Sequence, residues 1–387
     1  MQSKNISQDS LFTTDLLYKG HPDLASMLGI AEEIVRSPTH RIYFIPFFLR
    51  DFETEFEDLH SRSDITWRII SKSNLMFTLE MEKTIGRKPR RKVHGKVLFL
   101  KDHETKALVA VTHEAQEFRE KVLRPFVFGL RPPLSRTQFN THDLQSLLES
   151  LNSNPNVISV NAEKVAAKRK LADVKKPTTE SLIRWTDIPI SVAFEELEEK
   201  EAWLHAITVE VKYRVPNPKK ADKDTVLTGR IGIKRSGETW ISGQPLIFLF
   251  NSVFVPVLFH LRKKFDQLRN RERVKEDGYR LHPLCIEFDT EVFSQRESIE
   301  QLMRVLDLLK NTSFSVYHSN PSFHASLLDY YDNSSYEIFV LSNRRITIVP
   351  QMKATEGSLT RILEQVMRHF GEGSIRDYRD IYKELNL

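Results

Sequence analysis

Apolar and polar residues alternate with period two over three separate stretches, each broken by a short polar turn and each followed by apolar residues at helical spacing. The stretches begin at Val97 (VLFLKDHETKALVAVTHEAQEFREKVLRPFVFGL), Arg230 (RIGIKRSGETWISGQPLIFLFNSVFVPVLFHL) and Tyr336 (YEIFVLSNRRITIVPQMKATEGSLTRILEQVMRHF). Period two marks a strand with one buried face, and two such runs joined by a few polar residues mark a hairpin. Each hairpin feeds an amphipathic helix, so the same unit occurs three times.

Between these units the spacing predicts further elements. A helix over His21 to Val35 ends at Ser37-Pro38, and strands follow at Arg41 to Phe48, Ile65 to Ile70 and Leu75 to Met81. Helices are expected from Asn140 to Leu151 and from Ser191 to Trp203, with a long strand from His205 to Val215. The last third reads as strand Leu284 to Phe288, helix Ser298 to Leu309, strands Ser313 to His318 and His324 to Tyr330, the third hairpin, and helices Glu356 to Phe370 and Ser374 to Leu385.

Hairpins with helices docked on them imply an α+β fold with mainly antiparallel sheets, built from three hairpin-plus-helix units in two related domains. The expected organisation is a loose N-terminal arm at 1–20, an α+β domain at 21–160, a basic linker at 161–185, and a second α+β domain at 186–387 with a subdivision near 276. The linker reading rests on NAEKVAAKRKLADVKKPTT, which is basic and poor in large apolar groups. At 387 residues the chain exceeds what one core of roughly 250–300 residues holds.

Composition narrows the function classes. With 40% apolar residues and 24 phenylalanines the chain is globular, not disordered. One cysteine, Cys285, excludes an intrachain disulfide and a thiolate metal cluster, which fits a reducing, cytoplasmic compartment. The N-terminus has no apolar run behind a basic segment, so no secretory leader is expected. Leu246 to Leu261 is the one strongly apolar stretch, but it is shorter than the roughly 20 residues of a spanning helix and contains Asn251 and Pro256. It reads as a buried helix, and no membrane partner is expected.

No phosphate-binding glycine loop, nucleophile elbow, paired-histidine zinc helix or calcium loop is present, and no cofactor or metal is called for. One weak enzymatic pattern exists. Glu210 and Lys212 share one side of a strand, and Asp187 precedes them in TDIP; this is the donor set of a metal-dependent nuclease of the PD-(D/E)xK type, in which two carboxylates hold a divalent ion and the lysine positions water. Against it, Asp187 is expected to start a helix. His318, His324, Asp329 and Asp332 form a second, weaker cluster, read as strand ends and turn caps.

Basic residues give the leading functional expectation. Arg87, Lys88, Arg90, Arg91 and Lys92 crowd one connector, Lys219, Lys220 and Arg235 flank the second hairpin, and Lys263 and Lys264 extend the helix after it. The formal charge is only +5, so the argument rests on where the cations lie. A phosphate-binding track predicts a non-catalytic, intracellular nucleic-acid-associated protein, DNA- or RNA-binding, as a subunit of a larger assembly. The alternative is a protein–protein interaction scaffold without nucleic acid, because acidic runs at Asp51 to Asp64 and Glu195 to Glu201 balance the cations.

Overall fold

A computed structural model describes residues 27–379, apart from 30, 33–34, 36–38, 50–59, 62–63, 74, 87–88, 132–133, 171–178, 216–223, 276–278 and 320–321. The expected N-terminal arm at 1–20 lies outside the described residues. In the first part of the chain the strands are β1 (Ile42–Phe48), β2 (His60–Ser61), β3 (Thr66–Lys72), β4 (Met76–Ile85), β5 (Arg91–Asp102), β6 (Ala107–Thr112), β7 (Leu130–Arg131), β8 (Val157–Lys170), β9 (Thr179–Pro189), β10 (Ala202–Val215), β11 (Thr225–Lys234) and β12 (Thr239–Gly243). The remainder contributes β13 (Val274–Lys275), β14 (Tyr279–Arg280), β15 (Leu284–Phe288), β16 (Thr312–His318), β17 (Phe323–Asp329), β18 (Ser334–Ser342), β19 (Arg345–Pro350) and β20 (Gly373–Asp377). Among the described residues, 16 of these strands form two antiparallel sheets, and with the helices they give an α+β fold.

The larger sheet runs β3-β4-β5-β6-β1-β12-β11-β10-β8-β9. Its centre is β1, which pairs antiparallel with β6 (Phe44 opposite Val111) and with β12 (Phe44 opposite Thr239). The first two hairpin units therefore flank one strand and share one sheet. Each leads into a helix with a widened π turn: α1 comprises Gln116–Phe118, the π turn Arg119–Leu123 and Arg124–Gly129. The later helix has the same design, with Leu246–Leu249, the π turn Phe250–Phe254 and Val255–Leu268. Both π turns precede a proline, Pro125 or Pro256, which has no N–H to give and whose ring displaces the carbonyl of the preceding turn.

Two shorter helices lie between them, α2 (Thr141–Asn152) and α3 (Ile190–Glu199), so the long apolar helix Leu246–Leu268 is α4. Helix α2 starts at Asn140, whose side chain accepts from the Asp143 amide at 2.8 Å while Asp143 accepts from the Asn140 amide at 2.9 Å. That reciprocal capping box fixes its first turn. α1 and α4 cover opposite faces of the sheet: Ile45 and Phe47 pack with Phe118, Val122 and Phe126, whereas Phe44 meets Phe250 and Phe254 at ring distances of 5.3 and 5.0 Å. Strand β1 is consequently buried on both sides.

By length and composition α4 is the one helix among the described residues that could cross a membrane. Its Leu246, Leu249, Val253, Phe254, Val257 and Leu261 are buried within the protein. No membrane span is clearly indicated.

The smaller sheet runs β16-β17-β18-β19-β15-β20 and carries α5 (Arg296–Asp307) and α6 (Glu356–Phe370). The order of β15, α5, the hairpin β18–β19, α6 and β20 is a split β-α-β arrangement, with β16–β17 as an added hairpin. Alternate residues Phe323, Ala325, Leu327, Tyr336, Ile338 and Val340 point into a core with Leu302, Val305, Leu359, Ile362 and Val366 of the two helices.

Two expectations need correction. The segment 161–185 is not a linker: its described residues belong to β8 and β9, and Val160, Ala162, Val165 and Ala167 are buried. The chain divides instead into one compact unit of residues 1–165, 184–195 and 206–262 and a second of 166–183, 196–205 and 263–387, so the main break falls near 263 and not at 161–185 or 276. The expected last helix at Ser374 also begins as β20, paired with β15 through Ile286 opposite Ile375.

Because Phe44 is fully buried between two rings of α4, Phe44→Ala should cost about 3–5 kcal/mol in chemical denaturation. Glu238, in the turn of the second hairpin, is 2% exposed. Burial alone would raise its pKa, but Lys234 at 2.7 Å and Arg124 at 2.8 Å outweigh that and hold the carboxyl below its usual range. A depressed folded pKa supplies stability above the unfolded value of about 4.3 and loses it as pH falls through the folded value. Glu238→Gln should therefore lower stability at pH 7 by about 2 kcal/mol. The gap between wild type and variant should narrow as pH falls below the unfolded value and through the lower folded one, as denaturant midpoints measured across pH would show.

Candidate nucleic-acid interface

The basic residues singled out by sequence fall into distinct settings. Arg87, Lys88, Lys219 and Lys220 lie outside the described residues. Arg90 is exposed, Arg91 pairs with Glu117, and Lys92 Nζ lies 2.9 Å from Glu82 Oε1. Around the second hairpin, Arg214 meets Asp224 at 3.5 Å and Arg230 meets Glu163 at 2.8 Å. Arg235 is 8% exposed, and its Nε donates to the Phe139 carbonyl at 2.8 Å, so it ties two backbone segments together and presents no charge to a ligand. Lys263 is exposed and Lys264 half-buried on α4. Partly exposed ion pairs of this kind add little stability, yet they cancel much of the field that a run of cations suggests.

The three residues of the nuclease pattern do not converge. Glu210 and Lys212 share a face of β10, with Lys212 Nζ 3.7 Å from Glu210 Oε1. Asp187 lies within β9, not at the start of a helix, and accepts from Asn161 Nδ2 at 3.1 Å. Strand β8 separates β9 from β10, which puts the two carboxylate-bearing strands about 10 Å apart, whereas a shared divalent ion needs oxygens within about 2.0–2.6 Å of it. Among the described residues no three His, Cys, Asp or Glu side chains are placed to hold a metal ion.

His318 and His324 face each other across β16 and β17. Asp329 and Asp332 do other work at the far end of that hairpin. Asp329 is 1% exposed and accepts from Ser358 Oγ at 2.8 Å and from Arg361; Asp332 accepts from the Ser334 amide at 3.1 Å and from Thr355, the N-cap of α6. Burial opposes ionisation of Asp332, but its hydrogen bonds from Thr355 and Ser334 and the Arg361 charge hold its pKa below the usual value. The cluster anchors a helix start.

What the alternation of the smaller sheet does assemble is an open face. Residues that point away from α5 and α6 are Ser313, Ser315 and Tyr317 on β16, His324, Ser326 and Leu328 on β17 with Tyr330 just after it, and Glu337, Phe339 and Leu341 on β18. A bulge between Val316 and His318 interrupts the pairing near the end of the edge strand. Tyr317 is 61% exposed and Tyr330 57%. Tyr317 stands 4.9 Å from His324, and His324 stacks on Phe339 at 4.3 Å and 13°. Hydrogen bonds hold these groups: Tyr317 donates to Ser326 Oγ at 3.1 Å, Tyr330 and Ser313 share one of 2.9 Å, and His324 Nε2 lies 2.6 Å from Glu337 Oε2.

Toward the other edge of the sheet, Arg345 and Arg376 bind Glu287 at 2.6 and 2.8 Å. Burial would raise the Glu287 pKa, but the two guanidiniums hold it below the usual carboxylate range. Two cations against one carboxylate leave a positive balance at that end. This aromatic face was not singled out by the sequence: the alternation of Phe323 to Tyr330 and Tyr336 to Leu341 carries part of the signal, but only the strand order shows that Tyr317, His324 and Phe339 adjoin. No protein-family model matches this chain, and neither a curated protein nor a solved structure is significantly similar to it.

Proposed function

We propose that this chain is a non-catalytic nucleic-acid-associated protein that takes single-stranded RNA or DNA on the open face of its smaller sheet. The observation that carries the reading is the set of Tyr317, His324, Phe339 and Tyr330 side chains on one solvent-facing side of three adjacent strands, interleaved with serine hydroxyls. Unstacked bases gain roughly 1–3 kcal/mol each from aromatic neighbours, and hydroxyls beside the rings meet base edges and phosphates. Arg90, Arg91 and Lys92, together with Arg87 and Lys88, offer a separate phosphate contact on the other compact unit, because weak surface ion pairs exchange readily for phosphate.

A second reading follows from β16 itself. It is the edge of its sheet, and its Val316 is 39% exposed, so a partner protein's strand can pair along it. On that reading the chain is an interaction scaffold and binds no oligonucleotide.

Fluorescence anisotropy with a labelled 12-nucleotide single strand at low salt separates the two. Tyr317→Ala and Tyr330→Ala should each weaken binding about five- to tenfold, the lower part of the range for loss of one stacked base. No binding by the wild type, or equal binding by both variants, would sink the proposed interface. Replacing Arg87, Lys88, Arg90, Arg91 and Lys92 together by Gln should weaken binding and flatten the plot of log affinity against log salt, since fewer counterions are released. An unchanged slope would mean that these cations take no part.

A further inference from the structure

The two hairpin units of the larger sheet end differently, and a cavity lies at the end of the second. In the first unit β5 outruns β6, and the chain fills the gap itself: Glu114 Oε1 accepts from the Lys96 amide at 3.0 Å, and Thr112 Oγ1 donates to the Lys96 carbonyl at 3.0 Å. Gly95 makes room, since a Cβ there would lie 2.8 Å from the Glu114 carboxyl carbon. The strand pairing of the first unit ends at Leu98 opposite Val111, and that of the second at Gly229 opposite Gly243. In the second unit the chain then runs through Gln244 to Pro245. Neither Gly243 nor Pro245 has a hydrogen-bonding side chain.

A cavity of about 720 Å³ lies beside Gly243, lined by Glu210, Val226, Thr228, Arg230, Ser242 and Gln244. Ser242 is 1% exposed, and its Oγ has no hydrogen-bond partner. A buried hydroxyl left unpaired costs free energy that a bound acceptor would recover. Arg230 stands on the wall, held by Glu163 at 2.8 Å and more loosely by Glu210 at 3.5 Å.

We propose that this cavity binds a small carboxylate-bearing molecule, whose carboxylate accepts from Ser242 and Arg230. Glu210 on the same wall suits an ammonium group on that molecule, which makes a free amino acid the best-matched form. The site is independent of the aromatic face and does not rest on nucleic-acid binding.

The test uses the full chain and three probes at up to 10 mM: acetate, L-alanine and L-glutamate. Saturation-transfer NMR and thermal unfolding should show saturable binding of at least one amino acid, with acetate at least tenfold weaker because it lacks the ammonium. Ser242→Ala removes only the unpaired hydroxyl and should fold normally, yet weaken binding about tenfold; Arg230→Gln should weaken it further. Binding of acetate equal to that of the amino acids would overturn the ammonium assignment. Absence of binding by all three probes, or unchanged binding in both variants, would overturn the site.

Discussion

Double-sided burial of one strand governs the larger sheet. Strand β1 hydrogen-bonds to both hairpin units and hides both of its faces, Phe44 under α4 and Phe47 under α1. Such a strand cannot alternate polar with apolar, and IYFIPFF does not. Because side chains at successive positions point to opposite faces, a one-residue slip of β1 would exchange the partners of the two helices at once. Register, helix placement and the pairing of the two hairpin units are thus one constraint.

The two π turns fit the same constraint. Each helix must leave its hairpin, reach the face of β1 and carry a proline at a fixed point; widening the turn before Pro125 and Pro256 lets the helix continue where an α turn would clash. The helices then diverge in length, with α1 ending at Gly129 and α4 continuing to Leu268. Equal beginnings and unequal ends explain why, among the described residues, α4 alone has the apolar length of a membrane span while residues such as Phe250 and Phe254 pack on β1.

Much of this was legible in the sequence where burial is one-sided. The three hairpins, strand Leu284–Phe288 and helix Glu356–Phe370 are read directly from period two and period 3.6. β8 was not, for two physical reasons. Half of its buried positions are alanines, which carry little apolar contrast, and the buried positions change parity between Ala162 and Val165, which breaks the period-two signal. β20 failed differently: five residues at a sheet edge hold too little pattern to compete with the helical spacing of the residues after them. Of the candidate sites, the side of the strand occupied by Glu210 and Lys212 was readable, but the interposition of β8 before Asp187 depends on strand order, which no local pattern encodes.

Charge shows the same limit more sharply. A run of cations in sequence looks like a phosphate track, yet cross-strand register brings Glu82 beside Lys92, Glu210 beside Arg230, and Glu287 beside both Arg345 and Arg376. Lys92 sits on β5 and its partner on β4; Arg230 sits on β11 and its partner on β10. Strand neighbours at 4.8 Å neutralise one another more effectively than sequence neighbours reinforce one another, because screening confines each surface charge to its nearest partners. Aromatic side chains have no such cancelling partner. A face such as that of Tyr317 and Tyr330 keeps its stacking surface whatever charges surround it, and for that reason the weight of the functional argument moves from the basic runs to the open side of the smaller sheet.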